Sequence, residues 1–259
     1  VVPITIPSWA QATVMVTAVF VVGWVVWLGS VRPMLADFHS WRGTQALSQG
    51  NAAAALVGYE TAVAQQPFRT AYHVAAALTA AQLGRFEQAE EALRQAIALR
   101  PTDPILYTQL ADVYAREAFE TEASEKIGLA YAAYKQAIAL APTIGLTYQQ
   151  YADLALRSGD GETALVQAQR AVDLDATDGI AFGILGWARY QTGDLAAAQH
   201  AFEQAVKWQP DSADFHLGLA TVYFQQSRFD AAHQAVQNSL MRDPTFAPAL
   251  TLQLQLQEK

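Results

Sequence analysis

Residues 179–212 read GIAFGILGWARYQTGDLAAAQHAFEQAVKWQPDS. Ala, Leu, Gln and Glu, which are frequent here and in the other segments after the first thirty residues, lose little side-chain freedom in a helix. Gly193 interrupts the stretch near its middle, and Pro210 stands near its end. Glycine and proline are typical of helix ends, because glycine adopts a left-handed turn and proline cannot continue a helix. The stretch therefore predicts two helices joined by a tight turn at Gly193.

This pattern recurs along the chain. Boundary residues stand 34 positions apart, except for one interval of 41, and they are Pro67, Pro101, Pro142, Ala176, Pro210 and Pro244. Seventeen positions before five of the six boundaries stand Gly50, Gly84, Gly159, Gly193 and Ser227. Twelve positions before every boundary stands an alanine: Ala55, Ala89, Ala130, Ala164, Ala198 and Ala232. Eight positions before stand Tyr59, Leu93, Tyr134, Ala168, Phe202 and Val236. We expect the alanines to let neighbouring helices approach and the larger side chains to fill the space between hairpins.

This pattern resembles the tetratricopeptide repeat (TPR), a family of 34-residue helix–turn–helix units. The resemblance covers about four-fifths of the chain. It implies an all-α fold, a right-handed superhelical solenoid of six hairpins at 36–69, 70–103, 104–144, 145–178, 179–212 and 213–246. Residues 1–35 would form a long hydrophobic helix with short flanks, and residues 247–259 a C-terminal capping helix. The sequence LQLQLQ at 252–257 also has the period of a strand, but a helix can cover the open face of the last repeat.

The third repeat contains seven extra residues around positions 117–125. We expect them to lengthen its two helices by about two turns in total. Four of these residues are acidic: Glu117, Glu120, Glu122 and Glu125. A solvated helix extension is the simplest interpretation, and docking of a basic partner or a cation is the alternative.

The N-terminal segment has no charged residue before Arg32. Residues 9–31 are mainly Val, Ala, Phe, Trp and Leu, and a helix of this length spans about 35 Å, enough to cross a bilayer core. Pro3 and Pro7 before the run and Pro33 after it are interpreted as helix boundaries. We expect this membrane or assembly helix to place large aromatic side chains in lipid or against a partner: Trp9, Phe20, Trp24 and Trp27.

Several alternatives stay open for this helix. A signal peptide fits poorly, because no basic residue precedes the run and the run is long. Copies of the chain can cover the helix instead of lipid, an architecture similar to that of type IV pilins, although the early glutamate of those subunits is missing here. The hydrophobic helix, RPMLAD at 32–37 and the repeats after it also resemble the C-terminal part of O-antigen-ligase-type membrane proteins. That resemblance implies a glycan-transferring membrane domain elsewhere, and it carries over no catalytic residue to this chain.

Composition excludes several classes of protein. The chain has 16 Lys and Arg against 24 Asp and Glu, a net charge of −8, and its basic residues are scattered, which argues against nucleic-acid binding. It has no cysteine, which excludes disulfides, thiolate metal sites and a cysteine nucleophile. No catalytic motif is found, so we expect no enzyme activity, no cofactor and no metal. His39, His73 and His216 occupy the fourth position of the first helix in their repeats, where packing explains them better than metal binding.

The first helices of the repeats, called A helices here, usually line the ligand groove of such solenoids. Lysine and asparagine residues that clamp acidic peptide tails in one TPR subgroup are missing from this face. Its distal half is apolar and aromatic instead, and aromatic side chains often dominate protein interfaces. The expected partner-binding residues are Asp153, Leu156, Trp187, Tyr190, Leu217 and Phe224.

Together these observations favour a membrane-anchored scaffold that binds a protein or peptide in its groove. The alternatives are a self-assembling filament or surface-fibre subunit and the tail of a polytopic glycan ligase. The expected location is a membrane, crossed once by this chain, with the side of the repeats open. Because Arg32 and Arg42 follow the apolar run, the positive-inside rule weakly favours a cytoplasmic location of the repeats, while a cell-surface assembly remains an alternative.

Overall fold

A computed structural model describes residues 8–258, with the side chains of residue 13 and of residues 15–258. All of its regular elements are helical. They are α1 (Ser8–Val26), a π-helical turn (Trp27–Val31), α2 (Arg32–Ser48), α3 (Ala52–Gln65), α4 (Thr70–Gln82), α5 (Phe86–Leu99), α6 (Pro104–Glu120), α7 (Glu125–Leu140), α8 (Gly145–Arg157), α9 (Gly161–Leu174), α10 (Gly179–Gln191), α11 (Leu195–Trp208), α12 (Ala213–Gln225), α13 (Phe229–Arg242) and α14 (Ala247–Gln257).

The helices form two compact units, Val1–Leu106 and Tyr107–Lys259. In the first unit α2 packs on α3 and α4 on α5. In the second, α8 pairs with α9, α10 with α11 and α12 with α13, and α14 covers the end of the last hairpin. The predicted all-α fold of TPR-like hairpins is confirmed, and residues 252–257 belong to a helix rather than to a strand.

The predicted turn residues share one backbone conformation. Gly50, Gly84, Gly159 and Gly193 have φ angles between 71° and 88°, and Ser227 has φ 59°. This left-handed region is open to glycine and costs other residues energy, so the recurrence of glycine here has a direct steric cause.

The insertion is spread over the whole third hairpin. Helix α6 has 17 residues where the other A helices after α2 have 13, and α7 has 16 residues where the other second helices have 14. The turn between them is one residue longer than its counterparts and includes Glu122 at φ 58°. Lys126 pairs with Glu117 at 3.0 Å, and Arg116 with Glu120. Helix α6 therefore gains about one turn, and that turn reaches the cavity described below.

In three repeats, the fourth residue of the A helix donates a hydrogen bond to the boundary residue that precedes the helix. Nε2 of His73 donates to the carbonyl oxygen of Pro67 at 2.7 Å, and Nε2 of His216 donates to that of Pro210 at 3.0 Å. In the fourth repeat the Tyr148 hydroxyl donates to Pro142 in the same way, at 3.1 Å. These three side chains satisfy the backbone carbonyls of Pro67, Pro142 and Pro210.

The interpretation of Pro33 as a helix boundary is wrong. Residues Met15–Ser48 form one continuous helical stretch, and Pro33 lies at the start of α2 inside it. The turn before it is π-helical, with the amide of Arg32 donating to the carbonyl of Trp27. In a π-helical turn each amide donates to the carbonyl five residues earlier instead of four. This change accommodates Pro33, which has no amide donor, and the helix continues beyond it. Pro3 and Pro7 lie outside the described residues.

Candidate protein-binding groove

The unit Tyr107–Lys259 contains a cavity of about 860 Å³. Its walls come mainly from the A helices α6, α8, α10 and α12, with Tyr134 added from α7. We call this cavity the groove. Its volume lies within the range of sites that bind small molecules or peptide side chains.

One end of the groove is polar and largely buried. The Tyr134 hydroxyl donates to Oδ1 of Asp112 at 2.5 Å, and Nε2 of Gln150 donates to Oδ2 at 3.1 Å. Burial raises the pKa of Asp112, although both hydrogen bonds act to lower it. Burial and the Asp112 carboxylate raise the pKa of Tyr134 above its ordinary value. Oε1 of Gln150 is buried and finds no hydrogen-bond partner among the described residues.

The other wall of the groove is aromatic. The indole of Trp187 meets Phe202 edge-on at a centroid distance of 5.0 Å and Tyr190 at 6.0 Å. Its Nε1 donates to Oδ2 of Asp214 at 3.2 Å. These contacts hold the large indole in one orientation beside the cavity, as in a preformed binding pocket.

The charges on the groove are unequal. Its walls include four carboxylates, Asp112, Glu120, Asp153 and Asp214, and two guanidinium groups. Both guanidinium groups have partners inside the wall. Arg116 binds Glu120, while Arg157 lies 3.9 Å from an Asp153 oxygen and over the ring of Phe119, also at 3.9 Å. Burial raises the pKa of Asp153, and Arg157 opposes that shift. At neutral pH the groove keeps a negative balance.

The six residues predicted to bind a partner fall in three places. Asp153, Leu156 and Trp187 line the groove. Tyr190 borders, with these three, a shallower depression of about 400 Å³. Leu217 and Phe224 lie in the apolar cluster between α12, α13 and α14, where Leu217 is buried and the Phe224 ring stacks edge-on against Phe229 at 5.9 Å.

Other groove residues escaped sequence reasoning. Phe119 reaches the groove because the insertion extends α6 beyond the 13 residues of the other A helices, so the insertion itself was the available signal, whereas Arg116 is the thirteenth residue of α6 and corresponds to Arg157 of α8. Asp214 and Phe215 come from the first turn of α12, and no repeat position marks them as ligand-facing. Within the described part of the chain, no three His, Asp or Glu side chains converge as metal ligands do.

The apolar N-terminal helix is the second candidate functional element. Among its described side chains, Phe20 and Trp24 are 74% and 64% exposed, and Trp27 is exposed as well. Trp9 lies in α1, but its side chain is outside the described part. Within the helical stretch Met15–Ser48, the most apolar window has the length and composition of a membrane-crossing segment, with a mean hydropathy of 1.7, and none of that window is buried.

Comparison with known proteins supports the repeat assignment. Residues 79–117 match a family model described as TPR repeat, and residues 189–256 match one described as tetratricopeptide repeat. Two stretches of the chain therefore match models of the tetratricopeptide repeat. No curated protein matches its sequence significantly. The matches give no support to the resemblance to O-antigen ligases.

Solved structures of similar fold include PilW, a widely conserved type IV pilus biogenesis factor, at 16% identity and a TM-score of 0.68, covering 84% of this chain and 97% of PilW. YrrB, a TPR protein with an unusual peptide-binding site, matches at 18% identity and a TM-score of 0.56, covering 74% and 96%. A chain of the Cut9–Hcn1 complex of the APC/C matches at 19% identity and a TM-score of 0.65. The match covers 93% of this chain and 46% of the APC/C chain, so this chain spans about half the length of that relative. At these identities the likeness shows the fold.

Proposed function

We propose that this chain is a tethered scaffold, in which the N-terminal helix is held in a membrane and the groove binds an extended segment of a partner protein. The observation that carries the proposal is the groove itself, a cavity with a fixed indole on one side and a negative balance of charge. TPR proteins mediate protein–protein interaction and assembly, and the description of two fold neighbours as a pilus biogenesis factor and as a TPR protein with a peptide-binding site supports the proposal. In this proposal the carboxylates serve binding and not catalysis.

The negative balance suggests the chemistry of the partner segment. Asp153 has a loose ion pair at 3.9 Å, and Asp214 accepts a hydrogen bond from a neutral indole, so both carboxylates keep acceptor positions for a cation. The aromatic and aliphatic wall between them offers apolar burial beside those charges. A segment with a Lys or Arg next to apolar side chains satisfies both demands.

Membrane attachment rests on the exposure of the first helix. Leaving large apolar side chains such as Phe20 and Trp24 in water forgoes about 1.5–3 kcal/mol each relative to full burial. Insertion into a bilayer removes these side chains from water, and the helix is long enough to span the hydrocarbon core. A tether also raises the effective concentration of the groove near membrane-bound partners.

Selection from a random peptide library tests the groove. The full chain, reconstituted in lipid nanodiscs, should enrich peptides that combine Lys or Arg with apolar residues, and Trp187→Ala should lose them. Trp208→Ala is the matched control, since Trp208 is partly exposed, stands outside the groove and packs under Lys207. Equal binding by the Trp187 variant, or enrichment of acidic peptides, would refute the proposal.

Self-assembly is the second candidate, and one surface favours it. Met34, Phe38 and Trp41 form an exposed stripe on α2, with the rings of Phe38 and Trp41 stacked at 6.0 Å. They follow an i, i+4, i+7 pattern, while Ala36 and Gly43 of the same helix are buried. Since the chain has no cysteine, a Met34→Cys variant that forms disulfide-linked dimers in membranes, while Val57→Cys does not, would support this function.

A further inference from the structure

A separate cleft lies where the apolar helix meets the repeats. It has a volume of about 450 Å³ and is formed by Leu28, Arg32 and the turn at 65–69. All of these residues belong to the unit Val1–Leu106. Leu28 is part of the π-helical turn, and Arg32 is the first charged residue of the chain. The cleft therefore stands at the end of the segment that is apolar enough to cross a bilayer.

Two guanidinium groups face this cleft. Nη2 of Arg32 donates to the carbonyl of Ala64 at 3.0 Å, which holds the arginine against the end of α3. Nη1 of Arg69 donates to Oδ1 of Asp37 at 2.9 Å and to the Tyr72 hydroxyl at 3.2 Å. A guanidinium has five N–H donors, so each arginine is positioned by one or two bonds and retains donors for a ligand. The two guanidinium groups of Arg32 and Arg69 face the single carboxylate of Asp37, so the net charge beside the cleft is positive.

The turn beside the arginines carries an unusual apolar side chain. Phe68 is 83% exposed, more than any other large hydrophobic residue with a described side chain. It follows Pro67 on the turn between α3 and α4 and directly precedes Arg69. An aromatic ring next to a cation, at the level where an apolar helix ends, is the arrangement found at membrane–water interfaces.

We propose that this cleft binds the phosphate-bearing headgroup of an anionic phospholipid, with Arg32 and Arg69 on the phosphate and Phe68 inserted below the headgroups. This inference rests on the proposed membrane attachment. Arginine suits the task because its planar donors match phosphate oxygens in pairs. Such a contact fixes the first repeat against the membrane surface and makes its orientation depend on lipid composition.

A single fluorescent label tests the proposal. The chain has no cysteine, so Phe68→Cys takes one polarity-sensitive dye. The full chain is reconstituted in vesicles of phosphatidylcholine alone and of phosphatidylcholine with phosphatidylglycerol. We expect the label to shift to the blue in the anionic vesicles relative to the neutral ones. The same label at Met241→Cys, an exposed residue of α13, should report no difference.

Charge variants identify the groups responsible. In the labelled chain, Arg32→Gln or Arg69→Gln should abolish the difference between the vesicles, whereas Arg85→Gln, an exposed arginine on another turn, should keep it. Circular dichroism checks that each variant is folded. The lipid site is refuted if the label is indifferent to lipid charge, if the Arg85 variant behaves like the other two, or if inorganic phosphate without vesicles reproduces the shift.

Flotation separates this inference from the function on which it rests. A chain that floats with both kinds of vesicle while its label ignores lipid charge retains the anchor and loses the lipid site. A chain that floats with neither refutes the anchor and the lipid site together.

Discussion

The ring of Phe202 lies directly on Gly186, where an added Cβ atom would stand 2.8 Å from Cδ1. Phe202 is fully buried and occupies the position that the repeat pattern assigns to the filling between hairpins. Gly186 belongs to α10 and Phe202 to α11, so the pair sets how closely one hairpin closes. The same ring leaves no room for a side chain at Gly218 of α12.

Gly186→Ala should therefore destabilise the second unit. A methyl group in this packed core displaces the Phe202 ring or the helix, at a cost of about 1–3 kcal/mol. Thermal unfolding followed by circular dichroism should show a lower midpoint, and Phe202→Leu added to Gly186→Ala should recover part of the loss. Gly128→Ala is the control, because that site in α7 is open and alanine favours a helix by about 0.5–1 kcal/mol. Equal midpoints for the two alanine variants would contradict the packing.

Ser227→Gly should stabilise the last repeat. Ser227 takes a left-handed conformation, which costs a residue with a Cβ atom about 1–2 kcal/mol and glycine little. The converse change, Gly193→Ala at φ 88°, should destabilise the neighbouring hairpin by a similar amount, although nothing lies within 4 Å of the added atom. Unfolding midpoints that move in the same direction for both variants would refute a backbone cause.

These turns also show what the sequence could predict. Glycine, alanine and proline recur because backbone geometry and close helix packing demand them in every repeat, so spacing alone reveals the hairpins.

The same reasoning failed at Pro33. A π-helical turn accommodates the missing amide donor of this proline, and a one-residue change in hydrogen bonding leaves no mark in the sequence. The position of Leu217 in its repeat predicts a place on the ligand face, whereas the structure buries it in a cluster with residues of α13 and of the predicted capping helix α14.

His216 should make stability depend on pH. Burial lowers its pKa and Arg242 lowers it further, while the hydrogen bond to the Pro210 carbonyl raises it. Since the folded-state pKa lies below the unfolded value of about 6.5, this site favours the folded chain fully above that pH and loses the contribution as pH falls below it.

His216→Tyr removes this titration and keeps a donor, since Tyr148 bonds the equivalent carbonyl in the fourth repeat. Between about pH 8 and pH 5, the unfolding midpoint of the unchanged chain should fall more steeply than that of the variant. Comparing the two chains cancels the effect of every other titrating group. If the unfolding midpoints of the two chains change with pH in parallel, His216 has the same pKa in the folded and unfolded states and the prediction is wrong.

Asp112→Asn should stabilise the chain and weaken its groove. Ionised Asp112 is buried at a cost that raises its pKa, while Oε1 of Gln150 beside it lacks a partner among the described residues. An asparagine can still accept from the Tyr134 hydroxyl. Rotation of the Gln150 amide would then let its oxygen accept from the new amide group, in exchange for the bond that Nε2 of Gln150 donates to Asp112. Removing a buried charge while one hydrogen bond replaces another should raise stability by about 1–2 kcal/mol near neutral pH.

Two measurements separate the role of Asp112 in folding from its role in binding. The unfolding midpoint of Asp112→Asn should rise, whereas peptides with a basic residue, selected on the unchanged chain, should bind the variant more weakly because the groove has lost one negative charge. Leu146→Ala, on the same groove wall but uncharged, should weaken these peptides without changing the salt dependence of binding. A variant that is more stable and binds basic peptides unchanged would leave Asp112 without a part in recognition.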